Sequence, residues 1–294
     1  MTADFKSVLV IYNARSGNKA DQNFNTLLLE KSKQHHFNYK VYELEKQDCE
    51  GSIIKLIQDF KPDFLIAAGG DGTLNLVAQI APQYDLPILI LPSGSANGMA
   101  RELAIPNNIN AAFDVLGNYK IRPVDLLTIN DSTCVHLADV GLNARIVKRF
   151  EEDPKRGLST YAKHLWNEVF LIRSRRFKIA IDGKTISRRA VSITFANASK
   201  YGTGAVINPT GKIDDGKFEL CIVKPFPKLK IFSLAWKMFR GTLQTSAYFE
   251  VISSTKATIT TKRAIVLQVD GEVIGKVKNI EISIKQQALK LLLP

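Results

Sequence analysis

Nowhere do the 294 residues contain an apolar run approaching the roughly 18 residues that a membrane-spanning helix requires. The N-terminal MTADFKSVLVIYN also lacks a cationic segment followed by a signal-like apolar stretch. Neither a secreted nor an integral protein is expected. Cysteine is sparse too: Cys49, Cys134 and Cys221 are far apart and form no CxxC pair, which argues against a disulfide framework or a zinc site and fits a reducing cytoplasm. The four histidines show no HExxH spacing, so a zinc peptidase is a weak reading. Acid is short as well. Asp and Glu number 28 against 40 Lys and Arg, a net charge of +12 that attracts anionic lipid surfaces, nucleic acid or nucleotide phosphates. Charge alone does not choose among these. Clusters such as Arg173, Arg175, Arg176 and Lys178, or Lys224, Lys228 and Lys230, read first as solvated faces.

Familiar catalytic signatures are missing. Gly183, Lys184 and Thr185 look like the end of a P-loop, but Lys178 stands where its first glycine belongs, so this is a turn between strands. Gly94-Ser95-Ala96-Asn97-Gly98 is one residue out of register for a nucleophile elbow. A dinucleotide fingerprint fails because Gly70, Gly72 and Asn75 occupy the GxGxxG positions, and the last must be small for helix packing.

What is present is a folded composition, 45% hydrophobic and 23% charged, of a length that suits one large or two ordinary domains. SVLVIYN (7–13), YKVYEL (39–44), DFLIAAGG (63–70) and LPILILP (86–92) are strand-like. Segments near 21–33, 50–60, 73–81, 96–103 and 109–117 are helix-like. That rhythm predicts an α/β domain with a parallel sheet. From about residue 125 successive β-rich stretches predict a second, mainly antiparallel domain, with a boundary near Val124 to Thr128 and the division drawn at 1–126 and 127–294. Two helical candidates interrupt it, 158–172 and 229–241. There is no internal repeat and no low-complexity linker.

Three glycine-rich turns follow predicted strands of the first domain: NARSGN (13–18), GGDGTLN (69–75) and PSGSANG (92–98). Strand ends in a parallel sheet are where such folds place ligands, and exposed backbone amides there suit phosphate. Asp71 sits in the middle turn. Its carboxylate repels a phosphate unless it holds a cation between the two or takes part in the reaction.

GGDGTLN with LPSGSANGMARELAIP resembles the diacylglycerol kinase and sphingosine kinase superfamily of lipid kinases, particularly its soluble bacterial members. NARSG is similar to that family's NPxxG and VDL (124–126) to its acidic strand. FANASKYGTGAVINPTGKIDDGKFEL (195–220) is similar to its DDG block, and VDGE (269–272) closes the set. The resemblance runs through the whole chain in order. It implies a Rossmann-like α/β nucleotide domain and a C-terminal β-sandwich-like domain whose last residues can return to the first, with ATP and a lipid alcohol meeting in the cleft between them. By position it assigns the nucleotide to Asn13, the amides around Ser16 and Gly17, Gly69, Gly70, Asp71, Gly72, Thr73, Asn75, Ser95 and Asn97. Asp71 then stands beside the transferring phosphate and its Mg²⁺, where the cation converts repulsion into coordination. Glu272 matches the bacterial proton acceptor, whereas sphingosine kinases give that role to the GGDG aspartate, so two carboxylates compete for it. Asp215, with the backbone carbonyls of Lys212 and Lys217, matches a structural Mg²⁺ site, the rival reading being an Asp-Gly turn.

Ala14 replaces the NPxxG proline, Gly98 the GTxND aspartate, Leu76 a usual acid, and Glu43 stands near a usual threonine. These departures touch purine contacts and lipid identity more than phosphoryl transfer. A diacylglycerol-like acceptor ranks first; a sphingosine-type base, an NAD kinase-like activity and a non-catalytic lipid-binding module are the alternatives. The implied partners are a lipid at an anionic membrane surface, reached by peripheral contact, and no nucleic acid; a homodimer is allowed. In KPFPKLKIFSLAWKMFRG (224–241), Ile231, Leu234, Ala235, Met238 and Phe239 follow helical spacing, with Lys228, Lys230, Lys237 and Arg240 around them. That stripe either packs on its own domain or docks the membrane.

Overall fold

The computed structural model describes residues 6–15, 24–45, 49–142, 144, 173–202 and 204–294. The helical candidate at 158–172 lies outside them. The chain divides into two compact units, Met1–Val124 with Gln287–Pro294, and Asp125–Gln286.

In the first unit, strands β1 (Ser7–Tyr12), β2 (Asn38–Glu43), β3 (Phe64–Gly69) and β4 (Ile88–Pro92) pair in parallel in the order β2-β1-β3-β4. Helices α1 (Phe24–Gln34), α2 (Cys49–Phe60), α3 (Asp71–Ile80), α4 (Gly98–Glu102) and α5 (Ile109–Phe113) alternate with or follow them. FLIAAG and ILILP are buried at every position, as strands covered on both faces must be, while β2 is mostly exposed. The helix predicted from residue 73 begins two residues earlier, so Asp71 lies in its first turn. Leu291 pairs in parallel with Ile88, bringing the buried Leu289, Leu291, Leu292 and Leu293 to this sheet. Each such leucine contributes about 1.5–3 kcal/mol by leaving water.

The second unit is built from β5 (Lys120–Ile129, which crosses the dividing line), β6 (Ser132–Cys134), β7 (Leu137–Gly141), β8 (Arg175–Ile181), β9 (Lys184–Ala190), β10 (Ser192–Ala196), β11 (Phe218–Val223), β12 (Phe249–Ser254), β13 (Lys256–Val269) and β14 (Glu272–Leu293, which crosses it again so that its end belongs to the first unit). β13 runs unbroken over Lys256–Val269. A register shift between Thr260 and Ile265 bends β13, so that Ala257–Thr261 pair with β8 while Leu267–Val269 pair with β7. One strand thereby pairs with two different neighbours along its length, with Phe177, Phe195, Phe218, Leu267 and Ile280 among the residues packed in the core. The Gly183 turn does join two strands, β8 and β9.

Helix α6 (Lys230–Phe239) covers the other face of β10 and β11, where Leu234, Cys221, Ala196 and Phe249 form a second cluster with Met238 against it. Ile231 and Ala235 are half-buried, while Leu234 and Met238 belong to the packed face. Phe239 does not: it is exposed with Leu229, Phe232 and Trp236 on the opposite side.

Candidate active site

β1, β3 and β4 end at adjacent positions, and each is followed by one of the glycine-rich turns. Past the ladder, Asn13 N–H donates to Ala68 O (2.9 Å) and Ser93 N–H to Gly69 O (2.9 Å), which ties the three strand ends together. Gly69 has no space for a side chain, because a Cβ there meets Thr73 Oγ1 at 2.1 Å. Asn13 Nδ2 donates to that same hydroxyl at 3.5 Å. Gly70 and Gly94 touch through their backbones: a Cβ on Gly94 lies 2.5 Å from Gly70 Cα, and one on Gly70 lies 3.3 Å from Gly94 Cα. Asn97, left-handed at φ 50°, closes the third turn by accepting from Gly94 N–H (2.9 Å) and donating to Gly94 O (2.8 Å).

Asp71, from the middle turn, is bound to this third one. Its carboxylate accepts from the N–H groups of Gly98 (3.0 Å) and Met99 (3.3 Å), the first two of α4, so an acid 27 residues upstream caps that helix. An ionised carboxylate has about four acceptor sites, so two backbone donors leave capacity for a cation. Thr73 and Asn75 are buried, and Asn75 Oδ1 has no hydrogen-bond partner among the described residues. Gly72 and Ser95 are exposed. Ser16 and Gly17 lie outside the described residues.

In the second unit, Glu272 is exposed and opens β14 directly after the Asp270–Gly271 turn, whose φ values of 47° and 90° suit a two-residue hairpin. Asp270 anchors that turn. Its carboxylate accepts from the N–H groups of Val135 (2.7 Å), His136 (2.9 Å) and Leu137 (3.0 Å) and from the Cys134 thiol (3.3 Å). Burial still raises its pKa, outweighing those donors.

The DDG segment is likewise tied down. Buried Asp125 accepts from Gly216 N–H at 2.7 Å, and Asp215 accepts from Lys217 N–H at 3.1 Å in a local turn. Asp215, Lys212 and Lys217 are exposed. One carboxylate and two carbonyls are hard oxygen donors of the kind a small dication takes, and the loop already bunches them within a few residues. Among the described residues no group of three or more His, Cys, Asp or Glu side chains is placed to hold a metal. A site drawn largely from carbonyls is of another kind.

Several interior polar residues were not picked out from the sequence. Asn197 donates to the carbonyls of Asp125 and Val135, both at 2.8 Å. Asn208 donates to Glu219 at 2.7 Å, Ser253 to the other oxygen of Glu219 at 3.0 Å, and Gln268 to Asp139 at 2.6 Å. Burial raises the Glu219 carboxyl above its ordinary pKa. It also lifts the Cys134 and Cys221 thiols well above theirs, which leaves neither suited to act as a nucleophile. Asn208 and Glu219 stand in the NPTGKIDDGKFEL block, but spacing alone gives no sign that they pair.

Residues 7–129 match the diacylglycerol kinase catalytic domain, and residues 137–293 match the YegS C-terminal NAD kinase beta sandwich-like domain. The chain belongs to the diacylglycerol kinase and YegS-like superfamily of lipid kinases. A diacylglycerol kinase of Bacillus subtilis (strain 168) is 25% identical over 278 residues, covering 92% of this chain and 91% of its own. A protein of Chromohalobacter salexigens named as a YegS-like lipid kinase is 29% identical over 218 residues, covering 71% of this chain and 69% of its own. Two solved structures from Bacillus anthracis str. Sterne, described as diacylglycerol kinases, share the fold. One has a TM-score of 0.80 at 22% identity over 100% of this chain and 99% of that one; the other has 0.72 at 19%, over 99% and 97%. Membership gives the family's mixed architecture, parallel strands in the N-terminal part and a β-sandwich-like C-terminal part, and makes the chain an enzyme acting on lipid.

Proposed function

We propose that the chain transfers the γ-phosphoryl group of ATP to the hydroxyl of diacylglycerol or a closely related lipid. The observation that carries the nucleotide half is the backbone contact of Gly70 with Gly94 at the ends of β3 and β4. Such contact keeps amides exposed where side chains would otherwise cover them. Asn13, Thr73, Ser95 and the Gly69–Gly72 amides would hold the phosphates.

Asp71 would hold Mg²⁺ with the acceptor capacity that Gly98 and Met99 leave free, and Asp215 with the Lys212 and Lys217 carbonyls would hold a second, structural ion. Held by Asp71, Mg²⁺ would supply positive charge against the phosphates. Glu272 would accept the lipid hydroxyl proton as that oxygen bonds to the γ-phosphorus. The bond from phosphorus to the β–γ bridging oxygen breaks, and ADP leaves with the electron pair. The name of the Bacillus subtilis relative supports diacylglycerol as acceptor.

Labelled ATP is offered with dispersed diacylglycerol, a sphingosine-type base or NAD in parallel, with and without EDTA. Label is expected in diacylglycerol, dependent on Mg²⁺. In Glu272→Gln, turnover should fall roughly 100-fold, the scale of losing a general base, with ATP binding retained. Label in NAD alone overturns the lipid assignment, and near-normal turnover in the variant removes the base role from Glu272.

A further inference from the structure

The four most exposed large hydrophobic side chains among the described residues belong to one segment: Leu229 (83%), Phe239 (65%), Trp236 (64%) and Phe232 (60%). At about 100° per residue, positions 229, 232, 236 and 239 fall within an arc of about 80°. This arc faces away from the Leu234 and Met238 side that packs on the second unit. A helix already docked by one face does not need a second apolar face for its fold. Large apolar side chains as exposed as Leu229, Trp236 and Phe239 are a cost unless something covers them.

Charge says what that is. Between Leu220 and Phe249 there are five cations, Lys224, Lys228, Lys230, Lys237 and Arg240, and no acid. Lys228 and Lys230 sit at the N-terminal end of α6, which has no acidic residue in its first turn and no side-chain cap. Cations there oppose the helix dipole, so they are poorly placed for helix stability and well placed for an anionic partner. Lys228, Lys230 and Arg240 are exposed, and the Arg240 guanidinium lies 5.0 Å over the Trp236 ring. An arc of aromatic and aliphatic side chains with cations at both ends matches an anionic bilayer, with rings at the headgroup boundary and ammonium groups among the phosphates.

We propose that Leu229, Phe232, Trp236 and Phe239, with Lys228, Lys230 and Arg240, form the surface by which this enzyme docks on anionic membranes. It is not the stripe that helical spacing alone selects. The choice of a bilayer over other anions rests on the lipid-kinase reading above, but the surface can be tested without any turnover.

Sedimentation with phosphatidylglycerol vesicles and with phosphatidylcholine vesicles compares the wild-type chain, the triple variant Phe232→Ser, Trp236→Ser, Phe239→Ser, and the triple variant Lys228→Gln, Lys230→Gln, Arg240→Gln. The wild type should bind the anionic vesicles, weakening with salt, and bind neutral ones little. The charge variant should lose roughly fivefold in affinity per cation removed, and the aromatic variant at least tenfold. Both should keep wild-type turnover on a short-chain, monomerically dissolved diacylglycerol, which also establishes that they fold. Unchanged vesicle binding in both variants overturns the proposal. So does a wild-type dimer that the aromatic variant converts to monomer while vesicle binding persists, since the face is then a self-association surface. Loss of the wild type's activity on the dissolved lipid, with vesicle binding intact, would instead count against the acceptor assignment alone.

Discussion

Asp71→Asn separates the structural and chemical duties of the aspartate. The native carboxylate takes one N–H from Gly98 and one from Met99. Asparagine keeps a single carbonyl oxygen and turns an NH₂ towards the second donor. One charge-assisted bond is lost and one N–H is left facing another donor. A hydrogen bond to a charged group contributes about 1.5–3 kcal/mol, so the variant should be destabilised by about 2 kcal/mol. For a chain of 294 residues that is a fall of roughly 3 °C in the melting temperature. Differential scanning calorimetry without nucleotide reads this directly, and the same samples assayed with Mg²⁺ and ATP should show weaker use of the metal-nucleotide pair. An unchanged melting temperature with lost activity would refute the capping contribution and leave Asp71 a purely chemical role.

Gly94→Ala puts a methyl 2.5 Å from Gly70 Cα, so the two turns must separate; ATP affinity by isothermal calorimetry should fall at least tenfold, and more than for Gly70→Ala, where the approach is 3.3 Å. Glu219 has its pKa raised in the fold, so the native state binds its proton more tightly than the unfolded chain does; stability from this group is greatest below the unfolded pKa and is lost as pH rises through the folded one. Glu219→Gln should flatten that part of a urea-midpoint profile taken upward from pH 4, and an identical slope would show that another group titrates. Asp270→Asn should loosen the turn that carries Glu272, seen as faster amide exchange at Val135, His136 and Leu137 together with a lower kcat; slow exchange at all three would remove its anchoring role.

The α/β half was legible because buried parallel strands are written as uninterrupted apolar runs, and SVLVIY, FLIAAG and ILILP have little other use. The turns were legible as glycine clusters. Their contact was not, since Gly70 and Gly94 meet only after β3 and β4 have paired. Asp71 was read as a turn residue facing phosphate; its hold on Gly98 and Met99 depends on where α4 starts, which no local pattern states. In α6, periodicity found one apolar arc and gathered Phe239 into it. A ten-residue helix with two such arcs gives spacing alone no way to rank them, and only the packing of Leu234 against Cys221 and Phe249 tells inside from outside. Glu219 and Asn208 look like any polar pair on a loop and strand until both prove buried.

The pairing of Leu291 with Ile88 bears on how the chain is made. The first unit reaches Val124 and then waits for Gln287, about 160 residues later. At typical synthesis rates of about 5–20 residues per second, the interval is on the order of ten to thirty seconds. Throughout it, β4 offers an unpaired edge, fully apolar on both faces, of the sort that recruits neighbouring chains. The first unit of this enzyme is therefore not an independent module that can be excised at residue 124. It should aggregate when expressed as 1–124, and fusing 287–294 to it through a flexible linker should restore solubility by closing the edge.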